Sequence, residues 1–228
     1  MTSDFRVHPC NDLELLSCKQ CPRLSSFLQA VKTQHPDYHA RPVSAFGDRH
    51  AKLLVVGLAP GMHGANRTGR PFTGDYAGIL LYQTLHKYGF ATRHESVAAD
   101  DGLELTGCRI TNAVKCLPPE NKPMSQEIKQ CNQYLAVEMI AFAKNGGTAL
   151  LALGTIAHQA VLMGLQLKLK DYPFGHGALH YLAPGNGLKL YDSYHCSRYN
   201  TQTKRLTTQM FEQVFDRIVT DINSQENH

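Results

Sequence analysis

No stretch of this 228-residue chain approaches the roughly 18 uncharged, apolar residues that spanning a bilayer requires. The opening MTSDFRVHPC also lacks the apolar run of a secretory leader. A soluble, cytoplasmic protein without a membrane partner is therefore expected. Linker-like stretches, internal repeats and low-complexity runs are missing too, so one domain spanning 1–228 is expected. Excess charge of one sign is scarce. The formal net charge of +4 is too small to argue by itself for a nucleic-acid partner, although basic residues gather near Arg67 and Arg70 and again between Arg198 and Arg205. The seven cysteines are odd in number and follow no leader, which argues against a disulfide framework and for metal-binding or reactive thiols. With 43% hydrophobic and 18% charged residues, the chain has material for a core and no compositional case for disorder.

Four short apolar, β-prone runs stand out: Lys52 to Gly57, Cys108 to Val114, Thr148 to Leu153 and Lys189 to His195. Helical patterns follow them at Gly78 to Tyr88, Ser125 to Lys144, Thr155 to Met163 and Thr208 to Thr220, the last two opening on a threonine suited to cap a helix. Near-continuous apolar strands alternating with helices imply a parallel sheet covered on both faces. The expected fold class is α/β, a three-layer α/β/α sandwich around a central four-stranded parallel sheet. Residues before about Asp48 and from Gly164 to Gly187 read as irregular, with short helices.

Ligands of open parallel sheets bind beyond the carboxyl ends of the strands. The residues at those ends are polar or glycine-rich: GLAPGMHGANRTGRPFTGD, then Asn112 with Lys115 and Cys116, then Gly154 and Thr155, then HCSRYNTQTKR. Five glycines between Gly57 and Asp75 let backbone approach a ligand closely. Neither G-x-x-x-x-G-K-[ST] nor G-x-G-x-x-G occurs there, which argues against a nucleoside-triphosphate or dinucleotide site. Cys18 and Cys21 form a C-x-x-C pair, Cys116 follows the second strand, and Cys131 lies on the apolar stripe of the next helix. Four thiolates suit structural zinc or an iron–sulfur cluster, and spacing alone leaves both open.

The segment GLAPGMHGANRTGRPFTGD resembles the first motif of family-five uracil-DNA glycosylases, the iron–sulfur branch of that superfamily. ITNAVKC, YHCSRYNTQTKRLT and the order of the four cysteines match the same family, and HGANRTGR separates it from the shorter first motif of family four. This resemblance runs along nearly the whole chain. It implies a monomeric enzyme that hydrolyses the N-glycosidic bond of uracil, and of other deaminated bases such as hypoxanthine, in DNA. Such an activity would be exercised at the nucleoid.

The resemblance further implies a [4Fe-4S] cluster on Cys18, Cys21, Cys116 and Cys131, leaving Cys10, Cys108 and Cys196 spare. Asn112 would read the base edge and Phe72 would stack on the flipped base, with Gly57, Ala59 and Gly61 lining the same pocket. Asn66, Arg67, Arg70, Ser197, Arg198, Asn200, Lys204 and Arg205 are the expected DNA contacts. Where the family usually reads H-P-S-P, this chain has HCSR, so the loop after the fourth strand loses two prolines. After Gly57 the chain reads Leu58, Ala59, Pro60, without the carboxylate that related families carry there. Asp75 is then the expected anion for the sugar cation and the attacking water, with His195 at the leaving oxygen; Asp75 could otherwise simply cap the following helix. Two other classes stay open: a non-catalytic iron–sulfur DNA-binding protein and a zinc-stabilised hydrolase of free nucleosides.

Overall fold

The computed structural model describes residues 12–182 and 187–226; Cys10 lies outside them. Strands β2 (Leu53–Gly57), β3 (Cys108–Asn112), β4 (Ala149–Leu153) and β6 (Lys189–Ser193) are the four apolar runs, parallel to one another in the order β3-β2-β4-β6. The sheet is wider than expected. Two edge strands, β1 (Phe46–Gly47) on β3 and β5 (Leu179–Tyr181) on β6, pair antiparallel and make it six-stranded and mixed. Both fall in segments that read as irregular, because two or three residues are too few to display an alternating pattern.

Period-two alternation sends successive strand residues to opposite faces. Leu53, Val55, Ile110 and Leu151 face α4 (Tyr76–Lys87) and α8 (Thr208–Glu226), where Leu81, Leu85, Phe211 and Phe215 are buried against them. Leu54, Val56, Leu150 and Leu190 face α5 (Ser125–Lys144) and α6 (Thr155–Gly164) through Leu135, Met139, Ala160 and Val161. These two faces make the α/β/α sandwich. None of the helices among the described residues is long and apolar enough to cross a membrane.

The N-terminal region is more regular than expected. It forms α1 (Asp12–Leu16) and α2 (Pro22–Gln34), whose Leu24, Leu28 and Val31 lie on one buried stripe. The threonine caps are displaced by one residue. Gly154, with φ 97°, precedes α6 as its cap, and Thr207, not Thr208, accepts the Met210 amide at the start of α8 (3.2 Å). Because the four central strands are parallel, Gly57, Asn112, Gly154 and His195 emerge at one end of the sheet, which is where the site is built.

Candidate active site

Register decides the floor of the site. Gly57 pairs with Asn112 across β2 and β3, and a β-carbon at Gly57 would lie 2.4 Å from Asn112 Oδ1 and 2.6 Å from the tip of the Phe72 ring. Only glycine lets the amide and the ring converge over that backbone. Asn112 is 2% exposed, and its Oδ1 has no hydrogen-bond partner among the described residues. An unpaired buried polar atom costs on the order of 1–3 kcal/mol, so its persistence needs a reason. The Phe72 ring is buried and lies 6.1 Å from the His195 ring, inclined at 30°. Burial lowers the His195 pKa to about 4, which keeps the imidazole neutral at physiological pH.

Asp75 occupies the N-cap position of α4, but its side chain makes no capping bond. The carboxylate turns back into the first motif instead, where Oδ2 accepts the Ala65 amide at 3.0 Å and the Gly61 amide also favours its charged form. β-carbons at Gly61 and Gly64 would stand 2.4 and 1.9 Å from it, so these glycines exist to admit the carboxylate. Burial raises the Asp75 pKa, while the two amides and nearby Arg67 and His63 oppose the rise. Gly61 and Ala59 belong to the same loop, Ala59 packing toward the cysteines and Gly61 toward Asp75.

Along the rim, the HCSR segment leads into a short helix, α7 (Arg198–Gln202), whose N-cap is Ser197. Hydrogen bonds brace this segment without prolines: Ser197 Oγ accepts the Asn200 amide (3.4 Å), and Asn200 Nδ2 donates to the His195 carbonyl (2.8 Å). Arg198 covers the Tyr76 ring at 4.8 Å and Arg205 covers Tyr194 at 4.6 Å. Arg67, Arg198, Lys204 and Arg205 are exposed and cationic. Two residues expected to contact DNA are buried in this structure. Arg70 is 4% exposed, its guanidinium spent on Asp101, Ser96, Thr73 and the Ala99 carbonyl, and Asn66 is fully buried. The signal that misled was local charge: a basic residue in a glycine-rich loop looks solvent-facing until its partner appears far along the chain.

The four cysteines converge between α1, α2, the segment after β3, and α5. Cys18, Cys21, Cys116 and Cys131 line one small pocket with Leu15 and Leu24. Burial raises the Cys116 thiol far above its ordinary value, and the other three sulfurs raise it further; Cys131 is pushed up to about 11 by burial, against the pull of Lys115. The Lys115 amide donates to Cys131 Sγ at 3.3 Å. Four thiols facing one another, Cys131 buried and the other three half-buried, bring together sulfur donors that a cation among them would hold as thiolates, so the donor set fits a thiolate-bound metal centre. Cys108 and Cys196 are buried apart from this set, with the Cys196 thiol pushed up to about 12.

The Uracil DNA glycosylase superfamily model matches residues 44–219. A type-5 uracil-DNA glycosylase of Thermus thermophilus is 46% identical over 205 residues, covering 88% of this chain and 91% of that protein. The chain belongs to the type-5 uracil-DNA glycosylases. A second type-5 member, from Pyrobaculum aerophilum, is 40% identical over 91% of this chain and 90% of its own length. A type-4 enzyme of Archaeoglobus fulgidus is more distant, at 31% over 65% of the chain and 60% of its own length. The superfamily match begins after Cys18 and Cys21, so that pair lies outside it and Cys116 and Cys131 lie within.

Sequence reasoning missed one wall of this type-5 site. An open cleft runs from His195, Asn200 and Arg205 to Leu58, Ile156, Phe174 and Tyr194. Phe174 comes from the segment that reads as irregular, and its ring meets edge-on, at 5.6 Å, the His158 ring of a hydrogen-bonded triad. Asp192 bonds His158 Nδ1 at 2.7 Å and His180 Nε2 at 3.1 Å, while His158 Nε2 bonds the Tyr172 carbonyl at 2.9 Å. These three side chains form the set of metal-ligand types within 4.8 Å of one another among the described residues, yet their separations are those of direct hydrogen bonds. No local sequence signal joins a histidine on α6 to an aspartate on β6.

Proposed function

We propose that this chain is a DNA-repair enzyme that hydrolyses the N-glycosidic bond of uracil in DNA and leaves an abasic site. One observation carries the reading: Asn112, buried near Phe72, holds an amide oxygen with no hydrogen-bond partner among the described residues. An asparagine amide offers one acceptor and one donor, matching the N3–H and O4 of uracil. Other deaminated bases share a carbonyl beside a ring N–H, hypoxanthine among them, so the same amide suits them too. A base within a duplex cannot reach Asn112, so the nucleotide is flipped out and its ring stacks on Phe72.

In the reaction the C1′–N1 bond breaks as water adds to C1′, and uracil departs as an anion that takes a proton from solvent. Positive charge builds on the sugar and negative charge on the base. Asp75, held by the Ala65 and Gly61 amides, faces the cation and orients the water; neutral His195 donates a hydrogen bond to the departing oxygen. Both groups are preorganised, Asp75 by backbone and His195 by the Asn200 bond to its carbonyl. Arg67, Arg198, Lys204 and Arg205 contact phosphates. The enzyme acts as a monomer.

Cys18, Cys21, Cys116 and Cys131 hold a [4Fe-4S] cluster, which ties the N-terminal helices to the segment carrying Asn112. In support, no three of these sulfurs lie within 4.8 Å of one another, whereas the ligand atoms of the histidine–aspartate triad do. A single zinc ion with bonds of about 2.3 Å would gather its thiolates more tightly than that. The test is incubation with a uracil-containing duplex followed by alkali. Wild-type protein should give strand breaks at uracil, whereas Asn112→Ala should bind undamaged DNA and give none. Absence of breaks with wild-type protein would leave a DNA-binding protein only, and wild-type turnover by Asn112→Ala would move base readout elsewhere.

A further inference from the structure

Phe72 is held in an unusual backbone state. Its φ is +56°, a left-handed conformation that costs a bulky residue on the order of 1–3 kcal/mol and persists only where the surroundings over-determine it. The residues on either side are tied down. The Pro71 carbonyl accepts the Tyr82 hydroxyl at 2.9 Å and the Thr73 hydroxyl at 3.3 Å. Thr73 Oγ1 meets Ser96 Oγ at 2.7 Å, and the Gly74 amide donates to the Ser96 carbonyl at 2.9 Å. On the far side, the Phe72 carbonyl sits where a β-carbon of Gly78 would be, 1.9 Å away.

Arg70 is the hub of these ties. Its Nε donates to Thr73 Oγ1 at 2.8 Å, Nη2 to Ser96 Oγ and Asp101 Oδ2 at 2.6 Å each, and Nη1 to the Ala99 carbonyl at 3.3 Å. The guanidinium lies 4.9 Å from the centre of the Phe46 ring. Asp101 is equally committed, accepting the Val97, Ala98 and Leu103 amides. These bonds hold its carboxyl well below the usual range even though burial pulls the other way. Both partners are under a tenth exposed, so the pair is a fixed internal brace and not a surface contact.

We propose that the Arg70–Asp101 pair, with segment 96–101 behind it, is a positioning device that fixes the Phe72 ring against the flipped base. The inference rests on the base-stacking role given to Phe72 above. Arg70 does not touch the base; it acts by locking Thr73 and hence the strained peptide unit before it. A guanidinium fork serves four acceptors at once, and a lysine ammonium at the same place cannot. Displacing a positioning group by about 1 Å is enough to slow a reaction about a hundredfold.

Arg70→Lys keeps the charge beside Asp101 and loosens the fork, so it is the informative variant; Asp101→Asn replaces it should Arg70→Lys yield no folded protein. Excision of uracil is followed in a single turnover with enzyme in saturating excess, where a lower folded fraction leaves the rate constant unchanged. Arg70→Lys should slow the step tenfold or more in the wild-type background and less than twofold in Phe72→Ala. An equal loss in both backgrounds, or no loss in either, overturns the brace. Phe72→Ala cutting at the wild-type rate overturns the stacking reading first and the brace with it, so the two failures are told apart by that single variant.

Discussion

Gly61→Ala is the most searching perturbation of the proposed chemistry, because it touches Asp75 without changing any charged group. The new β-carbon would stand 2.4 Å from Asp75 Oδ1, and ordinary contact begins near 3.4 Å, so the carboxylate has to retreat by about 1 Å. It cannot do so freely, since Oδ2 is held by the Ala65 amide. Losing or stretching one of its two amide bonds removes about 1.5–3 kcal/mol of a charge-assisted interaction. A reacting group displaced by 1 Å lowers the rate about a hundredfold, equivalent to about 2.7 kcal/mol in the barrier. Single-turnover excision measured beside thermal unfolding separates the two effects. In an Asp75→Ala background the carboxyl group that supplies all three of the β-carbon's nearest atoms is gone, so Gly61→Ala should add no further loss of rate. Wild-type excision by Gly61→Ala, or a full hundredfold loss repeated on top of Asp75→Ala, would refute the placement of Asp75 at the sugar.

Cys116→Ala should remove the brown colour and lower the melting temperature, and an unchanged visible spectrum would exclude Cys116 as a ligand. His195 has a folded pKa of about 4 against about 6.5 unfolded, so the unfolded chain binds the extra proton between those values. The His195 contribution to stability is therefore complete above pH 6.5 and declines as pH falls toward 4. Urea midpoints of wild type and His195→Gln should converge on acidification; parallel curves would show that His195 is solvated in the folded state. Neutralising Lys204 and Arg205 together should reduce the slope of log affinity against log salt by about two, and an unchanged slope would place both away from phosphate.

The parallel strands and the central helices were legible because each is a local pattern: LLVVG and TALLAL are continuous apolar runs, and Ser125 to Lys144 repeats with a helical period. The first motif was legible for a different reason, its density of glycines. What stayed hidden depends on contacts distant in sequence. Arg70 looks like a phosphate contact until Asp101 is brought beside it, and His158 and His180 look unremarkable until Asp192 joins them. Asp75 was ambiguous for a subtler reason. It has the position of a helix cap, and only the space left by Gly61 and Gly64 sends its carboxylate the other way.

The short strands at the two margins of the sheet bear on how this molecule behaves at high concentration. A parallel sheet left open at β3 and β6 would present rows of unpaired amides and carbonyls to neighbouring molecules, an invitation to intermolecular strand addition. Here β1 covers one row with two residues and β5 the other with three. β1 stops at once because the Asp48 carboxylate bends the chain, accepting the His50 amide at 2.8 Å and the Gly107 amide at 2.9 Å. What remains outward on each side is too brief to template a partner, so the fold carries its own protection against edge-to-edge aggregation.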